Sequence, residues 1–287
     1  WKEVVYPPPL RRYIAGSYER GTTVLMNRGE RSETVRCRRG TRQVDPLSGL
    51  LFNIVLDEVL DSLDKNIGVN IGSQVVNSLA YADDIVLLAR TVKGLRLNFN
   101  TLEGGLGKAG LALNAKKCAS FGLIGWPKEH TWYYDEKYTI QTASGSLVPR
   151  IQMLDVYKYL GLLVGPQGVR KPTVSKYKKL LVNIDAARLK PHQRLAILRE
   201  QAVPSLFHTL ILSEAPLKVL GEVDKMTREK VRKWLKLPHD TSNAQIHAPV
   251  RLGGLGIPEL RVRIPCLRMK RLDKMAGSDD PVVVELA

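Results

Sequence analysis

Two neighbouring carboxylates, Asp83 and Asp84, stand between apolar runs in Ser78-Leu79-Ala80-Tyr81-Ala82-Asp83-Asp84-Ile85-Val86-Leu87-Leu88-Ala89. Adjacent acids raise each other's energy unless a cation lies against them. A divalent ion such as magnesium, which takes carboxylate and phosphate oxygens, is the natural partner. A bare Asp-Asp pair is commonly a solvated turn. Here residues 75–80 and 85–89 have the length and composition of short buried strands, which puts both acids at the tip of a hairpin. Carboxylates held on a rigid tip suit metal-assisted chemistry on a phosphate better than a solvated loop does.

The elements that must position this tip can be read on either side of it. Residues 10–18 follow Pro7-Pro8-Pro9 and carry apolar positions spaced by three and four, a short helix with proline at its entrance. Residues 22–26 and 34–37 flank the turn Asn27-Arg28-Gly29-Glu30 and predict a hairpin. Arg31, Arg36, Arg38 and Arg39 line or follow its second strand, facing either a phosphate backbone or solvent. Asp45-Pro46 then leads a basic, glycine-containing loop into a helix with Leu50, Leu51, Ile54, Val55, Val59 and Leu63. Strands over 67–71 and 74–80 precede the acidic hairpin, and Thr91 is placed to cap a long helix ending in residues 107–110. Residues 111–121 read as turn and strand. Residues 126–150, with Trp132-Tyr133-Tyr134, read as a strand-rich excursion whose aromatics either stack on bases or pack as an edge hairpin, the second being favoured. From residue 169 onward the spacing is helical over 171–189, 193–203 and 216–235, with Lys176, Lys178, Lys179, Arg188, Lys190 and Arg194 on the polar sides.

Charge narrows the function class. The 287 residues hold 44 Lys and Arg against 28 Asp and Glu, a net charge of +16. A globular chain this basic typically handles a polyanion. The excess is uneven: residues 45–100 carry 4 basic and 7 acidic side chains, while residues 166–287 carry 23 and 12. An acidic site between basic flanks fits a metal-dependent enzyme of nucleic acid. Cys37, Cys118 and Cys266 are too far apart for a zinc spacing and odd in number, which points to a reducing, intracellular setting. No apolar run reaches the roughly 18 residues of a membrane span, so no membrane partner is expected.

Tyr81-Ala82-Asp83-Asp84 between apolar strands resembles the catalytic palm hairpin of reverse transcriptases. Arg42, Gln43, Asp45, Pro46, Leu47 and Ser48 resemble the family's Gln-Gly-Asp-Pro-Leu-Ser segment, with Val44 in place of the usual glycine and Gly49 in place of a proline. Gly110, Leu111, Asn114 and Lys117 fit its Gly-Leu-x-x-Asn-x-x-Lys turn. The Lys158-Tyr159-Leu160-Gly161 strand resembles its primer grip. Residues 251–258 are similar to a segment after the thumb in non-LTR retrotransposon polymerases, especially the ribosomal-DNA-inserting R-two class.

The resemblance implies an α+β fold, with a right-hand polymerase fingers and palm region over 1–165 and a mostly helical thumb and following region over 166–287. It implies two magnesium ions, with Asp83 and Asp84 as ligands, and Lys117 acting at the leaving pyrophosphate. Arg42, Gln43, Asp45, Pro46, Ser48 and Tyr81 would contact template or nucleotide, and Tyr159, Leu160 and Gly161 the primer end. The implied partners are an RNA template, a DNA primer or target and deoxynucleoside triphosphates, and the implied setting is nuclear. In the intact parent, an endonuclease is expected beside the polymerase. These enzymes also draw an aspartate from an earlier strand, so the chain is expected to be a piece lacking it, feeble by itself. The alternative is a non-catalytic, maturase-like RNA-binding module derived from a polymerase.

Overall fold

The computed structural model describes residues 7–36, 46–126 and 131–287. Its residues separate into two compact units, one formed by 1–119 with 138–149 and the other by 120–137 with 150–287.

In the first unit the proline-led helix α1 (Pro8–Glu19) is followed by an interrupted hairpin. Its outer ladder pairs β1 (Thr22–Thr23) with β4 (Val35–Arg36), and its inner ladder pairs β2 (Met26–Asn27) with β3 (Glu30–Arg31). The turn residues Arg28 and Gly29 both have positive φ, the geometry that lets a two-residue loop follow the strand twist. Helix α2 (Pro46–Asp61) comes next, then the hairpin of β5 (Val69–Ile71) and β6 (Gln74–Val76). The acidic hairpin is β7 (Ser78–Tyr81) and β8 (Asp84–Leu87), and helix α3 (Val92–Lys108) closes the set.

Helices α2 and α3 make the core on which this unit rests. Leu56, Val59 and Leu63 recur at helical spacing on one face of α2 and its exit, and they meet Leu102 and Leu106 of α3. Gly105 allows the contact to be close, because a Cβ there would lie 2.7 Å from Val59 Cγ1. Thr91 Oγ1 accepts the Gly94 amide at 3.1 Å and caps α3. At the other end Leu111 N donates to Leu106 O at 2.8 Å and Gly110 N to Gly107 O, with Gly110 at φ +77°. This is a Schellman ending, and Leu111 packs against the same core as Leu106. A second cluster joins Phe99 to Tyr138, Ile140 and Val148. The strand expected within residues 111–121 does not form as a regular strand; an isolated bridge, Ser120 to Arg150, takes its place.

The second unit begins with the hairpin of β9 (Leu123–Trp126) and β10 (Thr131–Tyr134). A three-stranded meander follows, β11 (Tyr157–Tyr159), β12 (Leu162–Gly165) and β13 (Gly168–Val169). The rest is helical: α4 (Ser175–Ala186), α5 (Pro191–Ile197), α6 (Phe207–Leu212), α7 (Leu217–Leu235), α8 (Asn243–His247), α9 (Leu260–Ala276) and α10 (Pro281–Glu285). A π turn, Leu198–Ala202, links α5 toward α6. Tyr177, Leu181, Leu198, Leu220, Val231, Ile246, Ile257 and Ile264 are among the side chains that fill its core.

Two acids organise these helices. Asp224 of α7 is buried and accepts the Leu260 amide at 2.8 Å and the Arg261 amide at 3.0 Å, so it caps α9 from another helix. Burial pushes its carboxyl up, against the two amides that pull it down. Asp185 of α4 accepts Lys230 Nζ at 2.6 Å, Trp234 Nε1 at 2.8 Å and Lys233 Nζ at 3.1 Å. Its carboxyl is held well below the usual carboxylate range, first by Lys230, then by Trp234 and Lys233. Arg194 joins this group 3.8 Å from Asp185 and stacks over Trp234. It therefore serves the packing of α5 on α7, unlike Lys176, Lys178, Lys179, Arg188 and Lys190, which are exposed. Tyr177 donates or accepts at Thr227 Oγ1 over 2.6 Å, and burial pushes its hydroxyl up to about 12.

Asp224→Ala strips the acceptor from two amides at the start of α9 and should cost about 2–4 kcal/mol in urea denaturation, with Asp224→Asn, which keeps one acceptor, costing less. Asp185 has a folded pKa below its unfolded value, so its stabilisation is complete above the ordinary carboxylate pKa of about 4 and is lost as pH falls below it. Thermal melts between neutral and acid pH should show Asp185→Asn flattening that acid limb; an unchanged limb would assign it to other groups.

Candidate active site

The acidic hairpin is held from behind. In the register Tyr81 faces Asp84, Ala80 faces Ile85, Leu79 faces Val86 and Ser78 faces Leu87. Side chains alternate along a strand, and Ile85 and Leu87 pack against the α2 and α3 core. The opposite face carries Asp84, Tyr81 and Leu79, with Tyr81 68% exposed. Asp83 and Asp84 are both exposed. The tip thus projects away from an apolar base, with its carboxylates accessible to a solvated ion.

A small polar network fixes the base of the hairpin. Asn98 of α3 is buried; its Oδ1 accepts the Asp64 amide at 3.0 Å and its Nδ2 donates to Asp64 O at 3.4 Å. Asn77 Nδ2 also donates to Asp64 O, at 3.3 Å, and the Leu88 amide donates to Asn77 O at 2.8 Å, one step beyond the last pair of the ladder. The exit of α2, the body of α3 and, through Asn77, both strands of the hairpin therefore meet at one residue, Asp64. Nothing in the spacing of Asn77 or Asn98 marks them as site residues, because an asparagine becomes a clamp only when a distant backbone group is brought to it.

The turn itself is strained. Ala82 has φ +52° between Tyr81 and Asp83, a region that costs an L-residue roughly 1–2 kcal/mol. Strain of this kind persists where the surroundings impose it and gathers at functional sites. Leu160 in the Tyr159-Leu160-Gly161 turn has φ +45° and Gly161 φ +81°, so the second motif hairpin carries the same feature. Its Gly161 lies against the His208 ring, to which a Cβ would come within 3.5 Å.

The remaining motif residues are distributed as follows. Tyr81, Asp83 and Asp84 share one hairpin. Ser48 lies in α2, only 7% exposed, and its hydroxyl is 3.2 Å from the Tyr18 hydroxyl, a link from α2 to α1. Lys117 is exposed at the end of the turn after α3, where its amide donates to Asn114 O at 2.9 Å. Tyr159, Leu160 and Gly161 join β11 to β12 in the second unit. Arg42, Gln43, Val44 and Asp45 lie outside the described residues, as do Cys37, Arg38, Arg39 and the side chain of Pro46. Of the arginines near the first hairpin, Arg36 donates to Glu19 O at 3.1 Å, an anchor to the end of α1. Among the described residues no group of three or more His, Cys, Asp or Glu side chains could hold a metal. Asp83 and Asp84 stand on the turn as two neighbouring exposed carboxylates. The glycine-rich segment over 251–258 holds no phosphate loop: the amides of Leu255, Gly256 and Ile257 donate to Gln245, Ala248 and Ile246 carbonyls, so it pairs with α8.

Comparison with known proteins decides what this hairpin belongs to. The family model described as "Reverse transcriptase (RNA-dependent DNA polymerase)" matches residues 2–163. The chain belongs to the reverse transcriptase family. A polymerase palm is therefore its fold, and the mixed helix and strand content agrees with that. The chain is 39% identical over 269 residues to a retrovirus-related Pol polyprotein from the type-2 retrotransposable element R2DM of Drosophila melanogaster, a match covering 92% of this chain and 25% of the relative. It is 36% identical to a Pol polyprotein from a type-1 retrotransposable element R2 of Nasonia vitripennis, covering 95% and 26%. With another from Popillia japonica the identity is 35%, covering 96% and 38%. The chain thus spans between a quarter and two fifths of the length of these relatives. A non-catalytic module is not favoured by these likenesses. No helix among the described residues is long and apolar enough to cross a membrane.

Replacing Ala82 by glycine removes the penalty at φ +52° and should raise stability by about 1 kcal/mol in thermal melts, whereas Ala82→Val should lower it by at least as much. Equal stabilities for all three would mean that the turn relaxes freely.

Proposed function

We propose that this chain is the palm-bearing part of a retrotransposon polymerase that copies RNA into DNA by adding deoxynucleotides to a primer 3′ hydroxyl. The observation that carries the proposal is the Tyr81–Asp84 hairpin, two exposed carboxylates on a strained turn backed by the α2 and α3 core, in a chain of this family. In this reading Asp83 places its oxygens against a divalent ion, and Asp84 either binds the same site or orients Asp83. Magnesium fits these hard oxygen donors and the phosphates of a nucleotide; bound there as a pair, it would supply Lewis acidity to the attacking and leaving oxygens. Nucleotide oxygens, water and a further carboxylate would complete the coordination that these two acids leave open.

Other residues take roles around that centre. Lys117 offers its ammonium to the departing pyrophosphate, where positive charge stabilises the leaving oxygen. Arg42, Gln43 and Asp45, with Pro46 opening α2, bind template or nucleotide, and Tyr81 flanks the incoming base. Ser48 acts there by locking α2 to Tyr18. The Tyr159-Leu160-Gly161 turn supports the primer end. Residues 1–165 and 166–287 are the functional halves, palm and thumb, and the exposed lysines of α4 meet the product duplex through its phosphates. In this reading the enzyme meets its DNA target in the nucleus.

Primer extension on an RNA template tests this, using a protein of the relatives' length that contains this segment. Asp83→Asn should reduce incorporation on the order of 10²-fold or more, with RNA affinity unchanged. Synthesis at the parent rate by the variant would remove Asp83 from the chemistry. Magnesium-independent RNA binding with no synthesis by either protein would favour a binding module.

A further inference from the structure

The β9 and β10 hairpin exposes aromatic surface that the sequence reading expected to be packed. Trp132 is 69% exposed, the highest value, shared with Tyr13, of any aromatic side chain among the described residues. Its position is built. In the antiparallel register Trp132 faces Gly125, and a Cβ on Gly125 would lie 2.8 Å from indole Cζ3 and 3.3 Å from Cη2. The six-membered ring therefore rests on the glycine backbone, which only a residue without a side chain permits. The indole is braced on one side and open to solvent elsewhere. Ile124 and Leu123 on the paired strand are also exposed.

The base of the hairpin is anchored and carries two guanidinium groups. Tyr134 donates its hydroxyl to Ile151 O at 2.6 Å, and Arg150, next to Ile151, donates to Glu136 O just beyond β10. Arg150 and Arg170 line a cavity of about 360 Å³ there, with Tyr157 and Asp155. The unit that carries the hairpin holds 27 Lys and Arg against 16 Asp and Glu.

We propose that this hairpin is a docking platform for single-stranded RNA, with a base stacked on Trp132 and the adjoining phosphates drawn to Arg150 and Arg170. A braced, exposed indole on a hairpin whose base carries guanidinium groups is an arrangement suited to unpaired bases with little regard to sequence. A duplex cannot use it, because its bases are already stacked on each other. The choice of RNA over DNA rests on the polymerase reading: the template is the strand presented unpaired, while the product leaves as a duplex. The stacking surface itself stands on geometry alone.

Fluorescence anisotropy with labelled oligouridylate and with a blunt RNA duplex, in EDTA, tests the proposal on the 287-residue chain. Trp132→Ala should weaken oligouridylate binding by about 5- to 150-fold and leave duplex binding unchanged. Trp132→Phe should retain most of the affinity, and Gly125→Ala, which displaces the indole, should lose it. Parent-like binding by Trp132→Ala, an equal loss on the duplex, or tighter and Trp132-dependent binding of oligodeoxyuridylate would each overturn the proposal. So would a sedimentation shift from dimer to monomer caused by Trp132→Ala, which would make the hairpin a contact between copies. Because EDTA removes divalent ions, an RNA effect of Trp132→Ala without primer extension by any variant would leave the platform standing while the polymerase reading failed.

Discussion

The first unit depends on the burial of Ile85 and Leu87 against α2 and α3. Two carboxylates repel each other and prefer water, so nothing about the acids themselves holds the tip in place. The apolar underside does, and alternation along the strand then leaves Asp84 and Tyr81 on the outer face. The close approach at Gly105 lets α2 and α3 form a continuous floor. The Asn98, Asp64 and Asn77 group adds direction where hydrophobic contact supplies only attraction. A buried asparagine with its acceptor and one donor satisfied removes the penalty of desolvating it and ties three elements to one register.

In the second unit the same division of labour appears with opposite charge. The unit is strongly cationic, yet two of the groups that tie its helices together are acids. Asp185 gathers three cations and an indole, and Asp224 terminates another helix's amides. Each carboxylate draws helices together that the basic surface would otherwise push apart. The cations Lys176, Lys178, Lys179, Arg188 and Lys190 on α4 and its exit stay exposed.

Backbone strain connects the two hairpins that carry the family motifs. Ala82 and Leu160 hold positive φ without being glycine, each at a two-residue turn whose direction is set by the flanking ladder. Gly110 and Leu111 are explained by mechanics as well. Glycine takes the left-handed position that ends α3, and leucine returns to the core beside Leu106, which brings the chain to the turn bearing Lys117.

Much of this was legible from the residues in order. Local rules suffice for the proline entrance of α1, the Thr91 cap, the glycine ending of α3, the two-residue hairpins and the helical spacing after residue 170, because each depends on neighbours within a few positions. The Tyr81-Ala82-Asp83-Asp84 pattern likewise announced its hairpin and its family. Tertiary structure alone decided what depends on distant partners: that Asn98 and Asn77 converge on Asp64, that Ser48 binds Tyr18, that Arg194 is drawn to Asp185 and Trp234, and that Trp132 lies on Gly125 facing solvent. A side chain's type states which bonds it is able to make. Which of them it does make is set by the long-range packing of apolar faces, and that packing has no signature at any single position in the chain.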